Sequence, residues 1–399
     1  MKVLITTDLF FVETNGVVTS IKNLADALQK RGHEVRILTV SDRMKSYKEG
    51  NISFIRSLPI KVYAGTRMPT SYRHKLIKEL VEWRPDVIHS QCEFFSLRFA
   101  RYISKKTGAP IVHTYHTMYE DYVGYVFPSK RMGIKFARWL TKRIFESVDA
   151  IILPTEKVRE RHVENGITLE FNVVPSGIDL ERHKEPFSQE ERRQLRAKYG
   201  ISDGDTLLIS LGRVAPEKNI NELIDYYKRA LDKYPNLKFM IVGAGPAMRT
   251  LEEQAKRLGL RGRVVFTGMV NPDEVHKYYR LGDLFLSAST SETQGLTYIE
   301  AAANGLPLLC RRDPCLNGVI IPGENGYEYE NEEEFSAFLD TLLSDKEKMK
   351  KMGERSTEIV RPYDKSVFGE SVERVYAATV QKKREKMKLE NDKKENKNG

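Results

Sequence analysis

The apolar positions of this chain change period in a regular way. KVLITT (2–7) is a short aliphatic run with strand character. After a loop, VVTSIKNLADALQKRG places Val18, Ile21, Leu24, Ala25 and Leu28 on one helical face, with Gly32 as the stop. HEVRILTV returns to a strand. The alternation continues through ISFIRS, a helix near 71–83, DVIHSQ, a helix near 94–107, PIVHTY, a long helix near 129–147 and DAIILP. A charged helix at 188–199 and the turn DGD introduce a second series. It runs TLLISLGRV, helix 219–233, LKFMIVGAG, helix 246–259, RVVFTGMV, helix 272–281, DLFLSAS, helix 296–304, LPLLCR. Helices near 331–343, 345–353 and 364–388 follow, and the Lys-, Asn-, Asp- and Glu-rich residues 389–399 predict a disordered tail.

Strands alternating with helices predict an α/β protein with parallel sheets covered on both sides. A chain of 399 residues exceeds one typical core. Two Rossmann-like, doubly wound domains are expected, residues 1–185 and 186–363, with helix 364–388 packing back on the first. In such sheets ligands gather outside the carboxyl ends of the strands. Segments that follow strands, in a cleft between the domains, are therefore where chemistry is expected.

Composition narrows the setting. Cys92, Cys310 and Cys315 form no CxxC pair, which argues for a reducing cytoplasm over a disulfide framework. MKVLITTDLF lacks the charged and apolar regions of a signal peptide, and no uninterrupted apolar run reaches about 18 residues. Charge is uneven. Residues 1–184 carry 30 Lys+Arg against 20 Asp+Glu, whereas residues 185–399 carry 35 of each. The first half thus suits an anionic partner: a nucleic acid, an anionic membrane or a phosphorylated substrate. No RNP, KH, zinc or helix-turn-helix pattern supports nucleic acid.

Four stretches after strands carry candidate chemistry. Gly16 opens the first helix, where free N–H groups favour an anion, or it simply turns the chain. GxGxxG and the P-loop pattern are both missing. In GRVAPEKN (212–219), Arg213 and Lys218 either clamp a diphosphate or are solvated surface cations. VGAGP (242–246), with Gly245, either admits a nucleotide or punctuates a strand-to-helix turn. SETQGLTYIE (291–300) sets Glu292 in the loop and Glu300 in the following helix, with the amides of Gln294, Gly295 and Leu296 at the helix start. The plain alternative is two carboxylates on a solvated helix end.

Taken together, these stretches resemble the retaining, nucleotide-sugar-dependent glycosyltransferases of family 4, which have the GT-B fold. TNGVVTSI, HTYHTMYEDY, VPSGID, GRVAPEKN, VGAGP, FTGMV and SETQGLTYIEAAANGLP all fall in that family's order. Within it, TNGVVTSI, HTMYEDY and CLNGVIIPGENGY are similar to the bacterial enzymes that glucosylate diacylglycerol. The resemblance implies that Arg213 and Lys218 bind the donor diphosphate, Glu292 the transferred sugar and Glu300 the ribose. It places Gly16, Gly245 and the amides of Gln294 to Leu296 near the phosphates, the backbone of Met269 and Val270 at the base, and His116, more than His113, beside the donor sugar. Asn15 stands where the family often has a second glycine. UDP-glucose is the implied donor and the 3-hydroxyl of 1,2-diacylglycerol the implied acceptor. The alternatives are galactose as the sugar, and glucosyl-diacylglycerol or a polysaccharide lipid intermediate as the acceptor. No metal is demanded, with Mg2+ at most a stimulant, and DGD (203–205) reads as a plain turn.

SKRMGIKFARWLTKRIF gives the basic half a use. Arg131, Lys135, Arg138 and Lys142 share one helical face after Ser129, a candidate cap, and Met132, Phe136, Trp139 and Leu140 lie on an adjoining face. A basic amphipathic helix with Trp suits an anionic membrane surface, and the alternative is an apolar face packed on the sheet. With the implied lipid acceptor, this predicts a peripheral protein on the inner face of the cell membrane. Tyr115, Tyr119, Tyr122 and Tyr125 either line an acceptor entrance or fill core.

Overall fold

The strand Lys2–Thr7 presents Val3 and Ile5 to one layer and Leu4 to the other, so both of its faces need apolar cover. In the computed structural model, which describes residues 1–10, 16–60, 67–123 and 129–398, helices supply that cover. The strand lies inside an eight-stranded sheet. Its order is Phe171–Val173, Ala150–Leu153, Ile111–Thr114, Val87–Ser90, Lys2–Thr7, Glu34–Val40, Ile52–Ile55, Tyr47–Glu49. Neighbours are parallel except the last pair.

A second sheet of six parallel strands is built the same way. Its order is Val264–Gly268, Leu237–Val242, Thr206–Leu211, Leu284–Ser287, Leu308–Arg311, Gly326–Tyr329. In both sheets the strand order reverses beside the first strand. Doubly wound sheets hold their ligands at that point. In the first sheet it lies between Lys2–Thr7 and Val87–Ser90, and in the second between Thr206–Leu211 and Leu284–Ser287.

The chain divides into one unit of residues 1–177 and 365–399 and another of residues 178–364. The division falls eight residues before the expected end of the first domain at 185, because Ile178 already pairs with Asp364 and its N–H donates to the Tyr363 carbonyl at 2.9 Å. The last helix runs from Lys365 to Asn398, so the segment expected as a disordered tail continues it; Lys and Glu are good helix formers and keep it regular. Phe368, Val372 and Tyr376 of this helix join Val3, Ile5, Ile21 and Leu24 in one core layer. Gly369 makes room for it: a Cβ there would meet the Cβ of Ala27 at 2.6 Å.

Some elements left no periodic signal. Helix Glu156–Glu164 buries only Val158 and His162, and the strands Tyr47–Glu49, Ser57–Pro59, Arg67–Pro69 and Phe171–Val173 are three residues long. All three cysteines are buried free thiols. Among the described residues no helix is long and apolar enough to cross a membrane.

Candidate functional site

The two loops singled out in the second half both leave the sheet where its strand order reverses. GRVAPEKN follows Thr206–Leu211, and ASTSETQG follows Leu284–Ser287. Asn219, in the left-handed region at φ 50°, donates its side-chain amide to the Ala288 carbonyl at 3.2 Å and ties the loops together. Between them Lys218 Nζ and Glu292 Oε1 form a direct ion pair, with side chains only 22% and 19% exposed. Arg213 pairs with Glu217 of its own loop and stays 44% exposed. A half-buried ion pair beside an exposed guanidinium places both signs of charge at the usual ligand position of this fold.

Gly295 is the N-cap of helix Leu296–Ala303 and is left-handed at φ 73°. A Cβ there would lie 2.3 Å from the Tyr298 ring, so glycine is required twice over. Tyr298 is buried, its hydroxyl 3.1 Å from Ser287 Oγ, which anchors this turn to the strand before it. Gln294 is buried as well. Further along, Glu300 Oε2 accepts a hydrogen bond from the Tyr279 hydroxyl at 2.8 Å. Desolvation pushes the Glu300 carboxyl up to about 7, with Tyr279 and Arg182 acting the other way. Met269, exposed, and Val270, half-buried, follow the strand Val264–Gly268.

The glycines of VGAGP have a packing role that the sequence did not disclose. A Cβ on Gly245 would sit 2.2 Å from the Val214 carbonyl oxygen, and one on Gly243 would sit 2.0 Å from that of Gly212. Val214 N–H donates to the Ala244 carbonyl and Ala247 N–H to the Val214 carbonyl, each at 3.0 Å. These glycines let two backbone loops touch and thereby hold the loop that carries Arg213.

In the first unit, Gly16 is the exposed first residue of helix Gly16–Lys30, and Asn15 lies outside the described residues. His113 is fully buried, its Nε2 3.6 Å from Glu93. His116 follows the strand, is partly exposed, and has Nε2 2.7 Å from Gln91 Oε1. Desolvation lowers it to about 4, against the Glu93 charge, so near pH 7 its ring is neutral. Tyr115 is core, edge-on to Phe145 and His162. Tyr119 donates to Glu93, while Tyr125 and the side chain of Tyr122 lie outside the described residues.

Asp8, Gln91, Glu93 and Tyr279 were missed in the sequence. The signal for the first three was their place: Asp8 follows the first strand, and Gln91 and Glu93 follow Val87–Ser90 at the reversal point. Asp8 accepts from the backbone of Phe95 and Ser96 at 3.2 and 2.8 Å. Burial, with Glu93 adding to it, raises its carboxyl to about 7 despite those bonds. Among the described residues no group of three His, Cys, Asp or Glu is placed to hold a metal ion. In DGD, Asp205 accepts from Ser202 N–H at 2.7 Å and closes a turn.

The basic helix spans Lys130–Phe145. Ser129 sits at its N-cap position but makes no side-chain cap bond; its carbonyl accepts from Gly133 N–H at 3.0 Å instead. Gly133, Ala137, Thr141, Ile144 and Phe145 are the buried residues of this helix. Leu140 packs partly on the core, but Met132, Phe136 and Trp139 are 69%, 45% and 55% exposed. The helix therefore faces the protein with the small residues Gly133, Ala137 and Thr141 along most of its length and with Ile144 and Phe145 at its end, while Met132, Phe136 and Trp139 stay outside. Arg131, Lys135, Arg138 and Lys142 are exposed, with Arg138 3.1 Å from Glu120.

The chain matches a family model described as Glycosyltransferase Family 4 over residues 14–182, and one described as Glycosyl transferases group 1 over residues 191–359. It is 35% identical to an alpha-monoglucosyldiacylglycerol synthase of Streptococcus pneumoniae over 86% of this chain and 79% of that one. To the protein of that name from Acholeplasma laidlawii it is 30% identical, covering 97% and 99%. Among solved structures, Anabaena HepE in complex with UDP and glucose aligns with a TM-score of 0.74 at 18% identity, covering 94% of this chain and 99% of that one. Sucrose-phosphate synthase from Thermosynechococcus elongatus aligns at the same TM-score and identity, covering 95% and 99%. These two show a shared fold.

Proposed function

Since the chain belongs to glycosyltransferase family 4 and has the GT-B fold, we propose that it is a retaining glucosyltransferase acting at a membrane surface. It moves glucose from UDP-glucose to the 3-hydroxyl of 1,2-diacylglycerol and makes α-glucosyl-diacylglycerol. The observation that carries this is the Lys218–Glu292 pair at the strand-order reversal of the second sheet, ahead of a helix N-terminus. The names of the two curated relatives support the glycolipid product, and UDP and glucose bound to HepE support the donor.

Each residue has one task. Lys218 and Arg213 face the diphosphate, and the amides of Gln294, Gly295 and Leu296 and the helix N-terminus opened by Gly16 add partial positive charge. Gly245 holds the Arg213 loop close. Glu292 accepts from sugar hydroxyls, Glu300 from the ribose, and the backbone of Met269 and Val270 meets the base. His116 serves the donor sugar. The acceptor oxygen attacks the anomeric carbon on the face the diphosphate leaves. The carbon–oxygen bond to the diphosphate breaks, the new glycosidic bond forms, and the acceptor proton passes to the departing phosphate oxygen. Charge building on that phosphate is what Lys218 and Arg213 stabilise. Exposed Phe136 and Trp139, with the cations around them, seat the protein on an anionic leaflet, at the inner face of the cell membrane.

The test offers radiolabelled UDP-glucose or UDP-galactose to vesicles containing diacylglycerol or glucosyl-diacylglycerol and separates the lipids. Labelled α-glucosyl-diacylglycerol from UDP-glucose and diacylglycerol is expected. Labelling only from UDP-galactose, or only of the preformed glycolipid, overturns the assignment.

A further inference from the structure

A chain of buried polar groups runs through the first unit from the C-terminal helix to His116. Tyr376 OH lies 2.6 Å from His89 Nδ1. His89 Nε2 lies 2.7 Å from Thr114 Oγ1 and 3.1 Å from Gln91 Nε2. Gln91 Oε1 lies 2.7 Å from His116 Nε2. Tyr376, His89, Gln91 and Thr114 are all buried, at 0%, 0%, 2% and 3% exposure. The chain crosses the sheet on one face: Val87 and His89 alternate to the same side, as do Val112 and Thr114, and that is the side covered by the last helix.

Polar groups in such a place are costly unless each has a partner, and here each does. Burial holds His89 well below its ordinary range and Tyr376 well above, so both are uncharged near pH 7. The network thus sets no charge. What it sets is direction. The Gln91 amide accepts only through its oxygen and donates only through its NH2 nitrogen, and with the nitrogen toward His89 the oxygen is left for His116. An oxygen can only receive, so His116 carries its proton on Nε2 and turns Nδ1 away from Gln91.

We propose that Gln91 is a positioning residue for sugar recognition: backed by His89 and Tyr376, it fixes the ring orientation of His116 and its Nε2–H tautomer. The inference rests on the assignment of His116 to the donor sugar. It adds a contribution from the C-terminal helix, 260 positions from His116 in sequence, that no motif announces. A neutral hydrogen bond contributes modestly on balance, so losing the Gln91 contact should weaken sugar recognition roughly five- to tenfold.

The experiment measures binding of UDP-glucose and of UDP to the full-length wild type, His116→Ala, Gln91→Leu, Gln91→Glu and Tyr376→Phe. The quantity read is the ratio of the two affinities. Gln91→Leu is expected to lower that ratio roughly five- to tenfold while UDP affinity holds. Gln91→Glu, which still offers an oxygen to His116, should restore most of it, and Tyr376→Phe should fall between. In parallel, histidine 15N spectra report the tautomer without any donor: a single Nε2–H form of His116 in the wild type, and mixed forms in Gln91→Leu. If His116→Ala lowers the ratio but Gln91→Leu does not, the relay is wrong and the sugar assignment stands. If His116→Ala leaves the ratio unchanged, the sugar assignment is wrong and the positioning role goes with it. An Nδ1–H form of His116 in the wild type overturns the tautomer assignment directly. Loss of UDP affinity along with the sugar term in Gln91→Leu marks a general packing defect and also counts against the proposal.

Discussion

Lys218 and Glu292 are 74 positions apart in the sequence, yet their side chains meet in an ion pair. One belongs to the loop after the first strand of its sheet, the other to the loop after the fourth, and only the reversal of strand order brings those loops together. Lys218→Ala removes the cation from the proposed diphosphate position and leaves Glu292 half-buried without it. Turnover should fall about 10²–10³-fold, with a much smaller change in the KM for diacylglycerol. Steady-state kinetics over both substrates checks this, and a kcat within about threefold of wild type removes Lys218 from the transition state.

Gly245→Ala tests the backbone contact. The added Cβ would meet a carbonyl oxygen, which cannot rotate aside as a side-chain tip can. The second unit should lose about 1–3 kcal/mol, and activity should fall with it because the Arg213 loop shifts. Urea unfolding measures the first effect. Unchanged stability means the loops tolerate separation.

Asp8 gives stability a pH dependence of known sign. Its folded-state carboxyl titrates near 7, above its ordinary value of 3.8. Between those values the unfolded chain releases a proton that the folded chain keeps, so this group's contribution is full at low pH and is lost as pH rises through about 7. Asp8→Asn should therefore flatten the decline in unfolding free energy between pH 4 and 7.5, by roughly 2–4 kcal/mol. Parallel pH profiles for wild type and variant contradict the assignment.

Phe136 and Trp139 are exposed, with ring centroids 5.8 Å apart. Replacing both with Ser should leave Tm nearly unchanged and weaken sedimentation with anionic vesicles at least tenfold. Neutralising Lys135 and Lys142 should cost about fivefold each at low salt, less at high salt. Equal binding to neutral and anionic vesicles would sink the electrostatic part.

Much of this was legible because the relevant signals are local. Helical spacing found Val18, Ile21 and Leu24, and the helix 130–145 followed from the spacing of its cations. Glycine and charge after strands marked Lys218, Glu292 and Gly295. What was hidden depends on tertiary neighbours. Tyr279 looks like any tyrosine in HKYYR until the fold sets it against Glu300. Gln91 means little until His116 and His89 flank it. Gly245 was seen, but its reason lies in a carbonyl 31 positions earlier. The division after residue 177 coincides with a bridge between Ile178 and Asp364, residues far apart in sequence, which no local pattern announces.

That bridge and the last helix together make unit 2 an insertion within unit 1. Residues 178–364 begin and end side by side, so this segment should be expressible as a free-standing piece. Residues 1–177 should not, since Phe368, Val372 and Tyr376 complete their core. On the ribosome, the half made first must therefore wait until Phe368, Val372 and Tyr376 have emerged before it can close around His89.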